Sequence, residues 1–161
     1  MDKKIVVGIV LGILSLLGGT IFLATKVSSS AEVEMARGAK VELNETAWEW
    51  GEIGINDGKV EKEFEIKNTG SEVLKIYNIA TSCMCTSAMF TDDTSHVFGM
   101  HTKSGYVKEV PAGESTKIKV VFDPLFHGPD GVGPIGRQVT MMTNDADNGS
   151  LSFMLTATVR R

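Results

Sequence analysis

The sequence predicts an all-β, immunoglobulin-like antiparallel β-sandwich of about seven strands, preceded by a single N-terminal transmembrane helix. Three observations carry this. Nineteen residues from Ile5 to Leu23 hold no charge. From Val41 onward, apolar residues recur with a period of two rather than 3.6. Clusters of Pro, Gly, Asn, Asp and Ser interrupt that alternation at short intervals.

The run "IVVGIVLGILSLLGGTIFL" comes first. As a helix rising ~1.5 Å per residue it spans roughly 28 Å, close to the hydrocarbon thickness of a bilayer. Gly8, Gly12, Gly18 and Gly19 would weaken a soluble helix but are ordinary in a membrane helix. Lys3 and Lys4 precede it and only Lys26 follows closely. The positive-inside bias therefore keeps the N-terminus cytoplasmic and places the rest outside, periplasmic or at the cell surface. The alternative is a signal peptide cleaved near "SSSA", Ser28 to Ala31, which yields a secreted protein. Both readings export the same domain. The chain thus divides into an anchor or signal segment over 1–26, a small and polar tether over 27–40, and a sandwich domain over 41–161.

Within the domain each strand is argued from alternation. In "KVEKEFEIKNTG", Val60, Phe64 and Ile66 face one way and Glu61, Glu63, Glu65 and Lys67 the other. "NTGS" turns the chain, and "EVLKIYNIA" resumes as a strand. "PAGES" is a further turn, leading into "TKIKVVFDP" with Ile118, Val120 and Phe122 on one face. "RQVTMMTND" and "SLSFMLTATV" are two more strands around a polar turn. Two segments break the spacing and read as long loops: Thr91 to Val110, and Asp123 to Gly136 with three of the four prolines.

Charge narrows the partners. Sixteen Lys and Arg less Lys3 and Lys4 leave 14, and 20 Asp and Glu less Asp2 leave 19, so the exported part carries −5. That balance excludes a basic surface for nucleic acid. The implied partners are the membrane, through the N-terminal helix, a metal ion and another cell-envelope protein.

In their order, "WEWGEI", "KVEKEFEIKNTGSEVLKIYNIATSCMCT", "VPAGESTKIKVVFDP" and "RQVTMMTND" resemble a bacterial domain family. Its members are mostly exported or membrane-anchored, share a Ser-Cys-Gly-Cys-Thr motif, and have no assigned function. The family is similar to hydin-like and major-sperm-protein-like immunoglobulin-fold domains. The resemblance covers Trp48 to Val159 and implies the sandwich fold, not an activity. Two departures stand out: Trp50 replaces the usual Phe, and Met84 replaces the central Gly of the cysteine motif. Met in place of Gly predicts extended backbone through the motif.

Cys83 and Cys85 are the chain's two cysteines. On a regular strand, residues i and i+2 share a face with Cα atoms ~6.5–7 Å apart. That is at or beyond the limit for an ordinary disulfide, which would require a local kink. Two thiolates on one face suit a soft ion better, Cu(I) or Zn(II). His96, Met100, His101 and His127 are the further candidate metal ligands, and they include all three histidines of the chain. Strand directions place His127 at the same end as the cysteines and leave the His96–His101 segment free to cover it.

Three readings therefore stand. The first is a membrane-anchored binding module that captures a soft metal ion. The second is a structural protein-interaction domain whose cysteines only pack. The third is a thiol–disulfide redox module. No Cys-x-x-Cys, nucleophile elbow, phosphate loop or helix-borne His-Glu pair is present, so the sequence points away from an enzyme apart from thiol exchange.

Overall fold

The structure, a computed structural model, describes residues 33–102 and 104–161. The expected anchor, Ile5 to Leu23, and the first part of the tether lie outside the described residues. Among the described residues no helix is long and apolar enough to cross a membrane.

Ten strands form among the described residues: β1 (Val41–Leu43), β2 (Ala47–Gly54), β3 (Val60–Asn68), β4 (Leu74–Thr81), β5 (Thr86–Phe90), β6 (Asp93–Phe98), β7 (Val107–Val110), β8 (Ser115–Phe122), β9 (Gly133–Thr143) and β10 (Ser150–Arg160). They build two five-stranded sheets, ordered β1-β3-β8-β5-β6 and β2-β10-β9-β4-β7. This corrects the expected count of about seven. It also corrects the expectation of purely antiparallel pairing, because β2 runs parallel to β10.

The extra strands come from places where alternation is weak. β6 has five exposed or half-exposed residues in a row before its one buried side chain, Phe98, so no period of two marks it. β6 and β7 together turn half of the expected loop from Thr91 to Val110 into sheet. Of the second expected loop, Gly133 to Gly136 already belong to β9.

Where alternation is strong, it locates the core. Phe64 and Ile66 of β3, Ile118, Val120 and Phe122 of β8, and Leu151, Phe153 and Leu155 of β10 are all buried. Phe64 stacks on Phe153 across the two sheets with ring centroids 4.6 Å apart. A buried aromatic at such a place contributes about 3–5 kcal/mol against truncation to alanine. β4 carries a bulge between Tyr77 and Ala80. Asn78 there adopts φ of 50°, a left-handed conformation that Asn tolerates better than most residues. The extra residue shifts the phase of burial from Leu74 and Ile76 to Tyr77, Ile79 and Thr81.

The polar motifs hold one end together. Asn68 is fully buried at the end of β3. Its amide nitrogen donates to the carbonyls of Val110 (2.9 Å) and Glu72 (2.8 Å), and its side-chain oxygen accepts from Gly70 N (3.0 Å) and Lys40 N (3.4 Å). Asp145, also buried, accepts from Val41 N at 3.0 Å and Asp147 N at 2.9 Å, and Lys40 lies 3.6 Å away. Burial acts to raise its pKa, but these amides, Asn148 and Lys40 outweigh it and hold the carboxyl below its ordinary value. Residues before β1 pack here as well: Ala36 N donates to Asn144 O at 2.7 Å, and Gly38 O accepts from Ser71 N at 2.8 Å.

Removing the Asn68 side chain leaves the buried Val110 carbonyl, the partly buried Glu72 carbonyl and the Gly70 and Lys40 amides without their partner. Asn68→Ala is expected to lower unfolding stability by about 2–4 kcal/mol. The exposed Asn44→Ala should change it by less than about 0.5 kcal/mol in the same urea titration. Equal effects would remove Asn68 from the role assigned to it.

Candidate functional site

β4 lies in one sheet and β5 in the other, so the chain passes between sheets in four residues, Ser82 to Cys85. Sheets pack roughly 10 Å apart, so this stretch cannot continue as a regular strand. It bends instead. Thr86 N donates to Cys83 O at 3.1 Å, closing a turn over Met84 and Cys85. The Thr81 hydroxyl lies 3.0 Å from the carbonyl oxygens of both Cys83 and Thr86 and fastens the turn from inside.

The bend corrects the same-face, extended reading of the cysteines. Their Cα atoms are 5.3 Å apart, inside the ordinary disulfide range, and the two sulfurs are bonded to each other. Met84 does not enforce extension. Among the described residues Asn78 alone, apart from glycines, has positive φ, so the turn needs no glycine at its centre. The Met84 side chain stands in solvent.

The two sulfurs occupy different surroundings. Cys85 is 3 % exposed and joins a small core of Ile53, Ile55, Phe122, Ala157 and Val159. Cys83 is partly exposed at the rim of that core. Arg137, on β9, donates from Nε to Cys85 Sγ at 3.0 Å and from a terminal nitrogen to Gly136 O at 2.8 Å. Its guanidinium also lies 5.4 Å from the Phe122 ring centre. Among the described residues no carboxylate pairs with it. Burial draws its pKa below the ordinary value. On the other side, His127 Nε2 sits 3.4 Å from Cys83 Sγ.

His127 reaches that position through consecutive turns after β8. Asp123 N donates to Cys85 O at 2.9 Å, and the Asp123 carboxylate accepts from Leu125 N at 3.1 Å. Gly128, at φ of 66°, then starts a single 3₁₀ turn over Gly128–Asp130. The expectation that His127 lies at the cysteine end therefore holds. Among the described residues, Cys83, Cys85 and His127 form the one group of His, Cys and acidic side chains whose donor atoms all lie within 4.8 Å of one another.

The other expected ligands lie outside that group. His96 is on β6, where its Nδ1 contacts the Asp93 carboxylate at 3.0 Å and its ring packs on Tyr106. Asp93 also accepts from the Ser95 hydroxyl (2.6 Å) and the Tyr106 hydroxyl (3.0 Å). These bonds, Ser95's first, hold the Asp93 carboxyl down at about 2. Met100 and His101 occupy the surface turn after β6. Gly99 O, which accepts from Thr81 N at 3.4 Å, brings the start of that turn towards the cysteine end. His101 itself contributes no donor atom to the group.

Arg137 escaped the sequence reading. Its signal was present: Val139 and Met141 face inward, so Arg137 shares their phase, a charge where an apolar side chain is expected.

Residues 41–98, β1 to β6 with both cysteines, match a family model described as a protein of unknown function, DUF1573. A protein of unknown function from Porphyromonas gingivalis W83 has the same fold, with a TM-score of 0.59 and 18 % identity over 78 % of this chain and 49 % of that one. This chain thus spans about half the length of that protein. The ASH/PapD-like domain 7 of human CEP192 is similar at a TM-score of 0.50 and 14 % identity, over 80 % of this chain and 91 % of that domain. No curated protein matches the chain. At these identities the likeness shows a β-sandwich fold similar to PapD-like and immunoglobulin-like domains and leaves function to the side chains.

Proposed function

We propose that this chain is a membrane-anchored, extracytoplasmic interaction module whose docking face is the cysteine-bearing end of the sandwich. One observation carries the reading. Met84, Leu125, Phe126 and Val132 are all strongly exposed, and the turn and loop that carry them flank the sulfur pair. Single exposed apolar residues are ordinary, whereas several at one end mark a contact surface. Beside them an open cleft of about 400 Å³ is lined by Ile55, Asn56, Leu125, Pro129 and Arg161. The partner is an apolar segment of another cell-envelope protein. The uncharged run from Ile5 to Leu23 supports tethering, and the two lysines before it support export of the domain.

A second reading is favoured by the closeness of the three donors. Once the pair is reduced, two thiolates and an imidazole suit Cu(I), or three corners of a Zn(II) tetrahedron.

Each reading has its measurement. In methyl NMR of the oxidised protein, apolar peptides should shift the Met84 and Leu125 methyl signals, and Phe126→Ser should weaken binding by about tenfold. Shifts confined to other faces would refute the docking face. The full chain should stay in the membrane fraction through a carbonate wash, and deletion of residues 5–23 should release it. A shortened chain recovered from the soluble fraction would replace the anchor with a cleaved signal. The reduced full chain should bind Cu(I), and Cys83→Ser combined with Cys85→Ser should abolish binding. Equal binding by that double variant would end the metal reading.

A further inference from the structure

We infer that Cys83–Cys85 is a thiol–disulfide exchange centre that accepts two electrons from a dithiol, with Cys83 the attacked sulfur and Arg137 the group that receives the leaving thiolate. The inference concerns the reactivity of the sulfur pair, and it stands whether or not the apolar rim docks a protein.

Three observations converge. Cys83 is the partly exposed sulfur, while Cys85 is buried among Phe122, Val159 and Ile53, so an incoming thiolate reaches Cys83. The Cys85 sulfur has a guanidinium nitrogen at 3.0 Å. A disulfide sulfur is a weak acceptor, whereas a thiolate is a full anion. A half-buried Arg without a carboxylate partner among the described residues, aimed at that sulfur, therefore matches the reduced state far better than the oxidised one. His127 stands 3.4 Å from Cys83 Sγ and supplies a hydrogen-bonding partner for that sulfur as well.

A substrate thiolate attacks Cys83 Sγ, the Cys83–Cys85 bond breaks, and its electron pair leaves on Cys85 Sγ beside Arg137. The product is a mixed disulfide between Cys83 and the substrate. The second thiolate of the same substrate attacks the substrate sulfur in that bond and releases Cys83 as thiolate. The substrate has lost two electrons and two protons and holds a new disulfide. The pair has gained both electrons, and the protons pass to the two cysteines and to solvent. The substrate class is a dithiol, of which a Cys-containing polypeptide is the exported form.

The test uses the full chain in detergent, with glutathione and dithiothreitol as probes. Aliquots are quenched with an alkylating reagent and resolved by mass. Wild type should be reduced without unfolding. Arg137→Leu should slow reduction by about tenfold or more, the scale of a charged hydrogen bond to the leaving group, and should shift the glutathione equilibrium towards the disulfide. Arg137→Lys, which keeps the charge, should recover part of both effects, and this separates the role from packing. With Cys85→Ser, oxidised glutathione should form an adduct at Cys83. With Cys83→Ser, Cys85 should resist it until denaturant is added. Reduction that requires unfolding, adducts on Cys85 in the folded protein, or Arg137→Leu reacting at the wild-type rate would each overturn the inference. Because small thiols need no apolar docking, these results are independent of the peptide titration.

Discussion

The four-residue passage from one sheet to the other, Ser82 to Cys85, is the constraint on which the rest of the site depends. Two sheets separated by a layer of Phe and Ile side chains have to be joined, and a stretch this short can only bend. The bend shortens the distance between alternate residues and turns a spacing unsuited to a disulfide into one that permits it. It also sorts the sulfurs, one into the lower core and one to its rim. The bulge at Asn78 prepares this passage. Without the phase shift, Thr81 would face out and its hydroxyl could not hold the turn.

Much of this architecture is legible in the residues. Val60, Phe64 and Ile66 against the Glu series fix β3 and its inward face, and Ile118, Val120 and Phe122 do the same for β8. Because these two strands pair antiparallel, the end of β8 falls beside the start of β3, and the alternation alone puts His127 near the cysteines. Strands without alternation were not legible. β6 is an edge strand with little to bury, and β7 is four residues long. The reading of Cys-Met-Cys as a straight strand failed for a different reason. Local pattern carries no information about which sheet the next strand will join, and that choice set the backbone here.

The polar turn residues and the sulfur-bearing site separate in space. Asn68 of the Asn-Thr-Gly turn and Asn144 with Asp145 of the Thr-Asn-Asp segment spend their polar atoms on backbone groups at one end. They are buried polar groups with their hydrogen bonds filled, the condition under which such groups stabilise a fold. The other end is built differently: apolar side chains lie in solvent, and a guanidinium meets sulfur instead of carboxylate.

That separation gives the domain a polarity. The segment leading in at Ala36 to Lys40 is fastened beside Asn144 and Asp145, at the pole where β3 ends. The sulfur pair sits near the pole where β3 begins, eight residues away along that strand, roughly 25 Å at strand rise. The two poles of the domain are thus set apart by the length of β3. The described chain enters at one pole through Ala36 to Lys40, and Cys83, His127 and the exposed Leu125 and Phe126 lie toward the other. A contact made at the sulfur-bearing pole therefore leaves the entry of the chain at Ala36 uncovered.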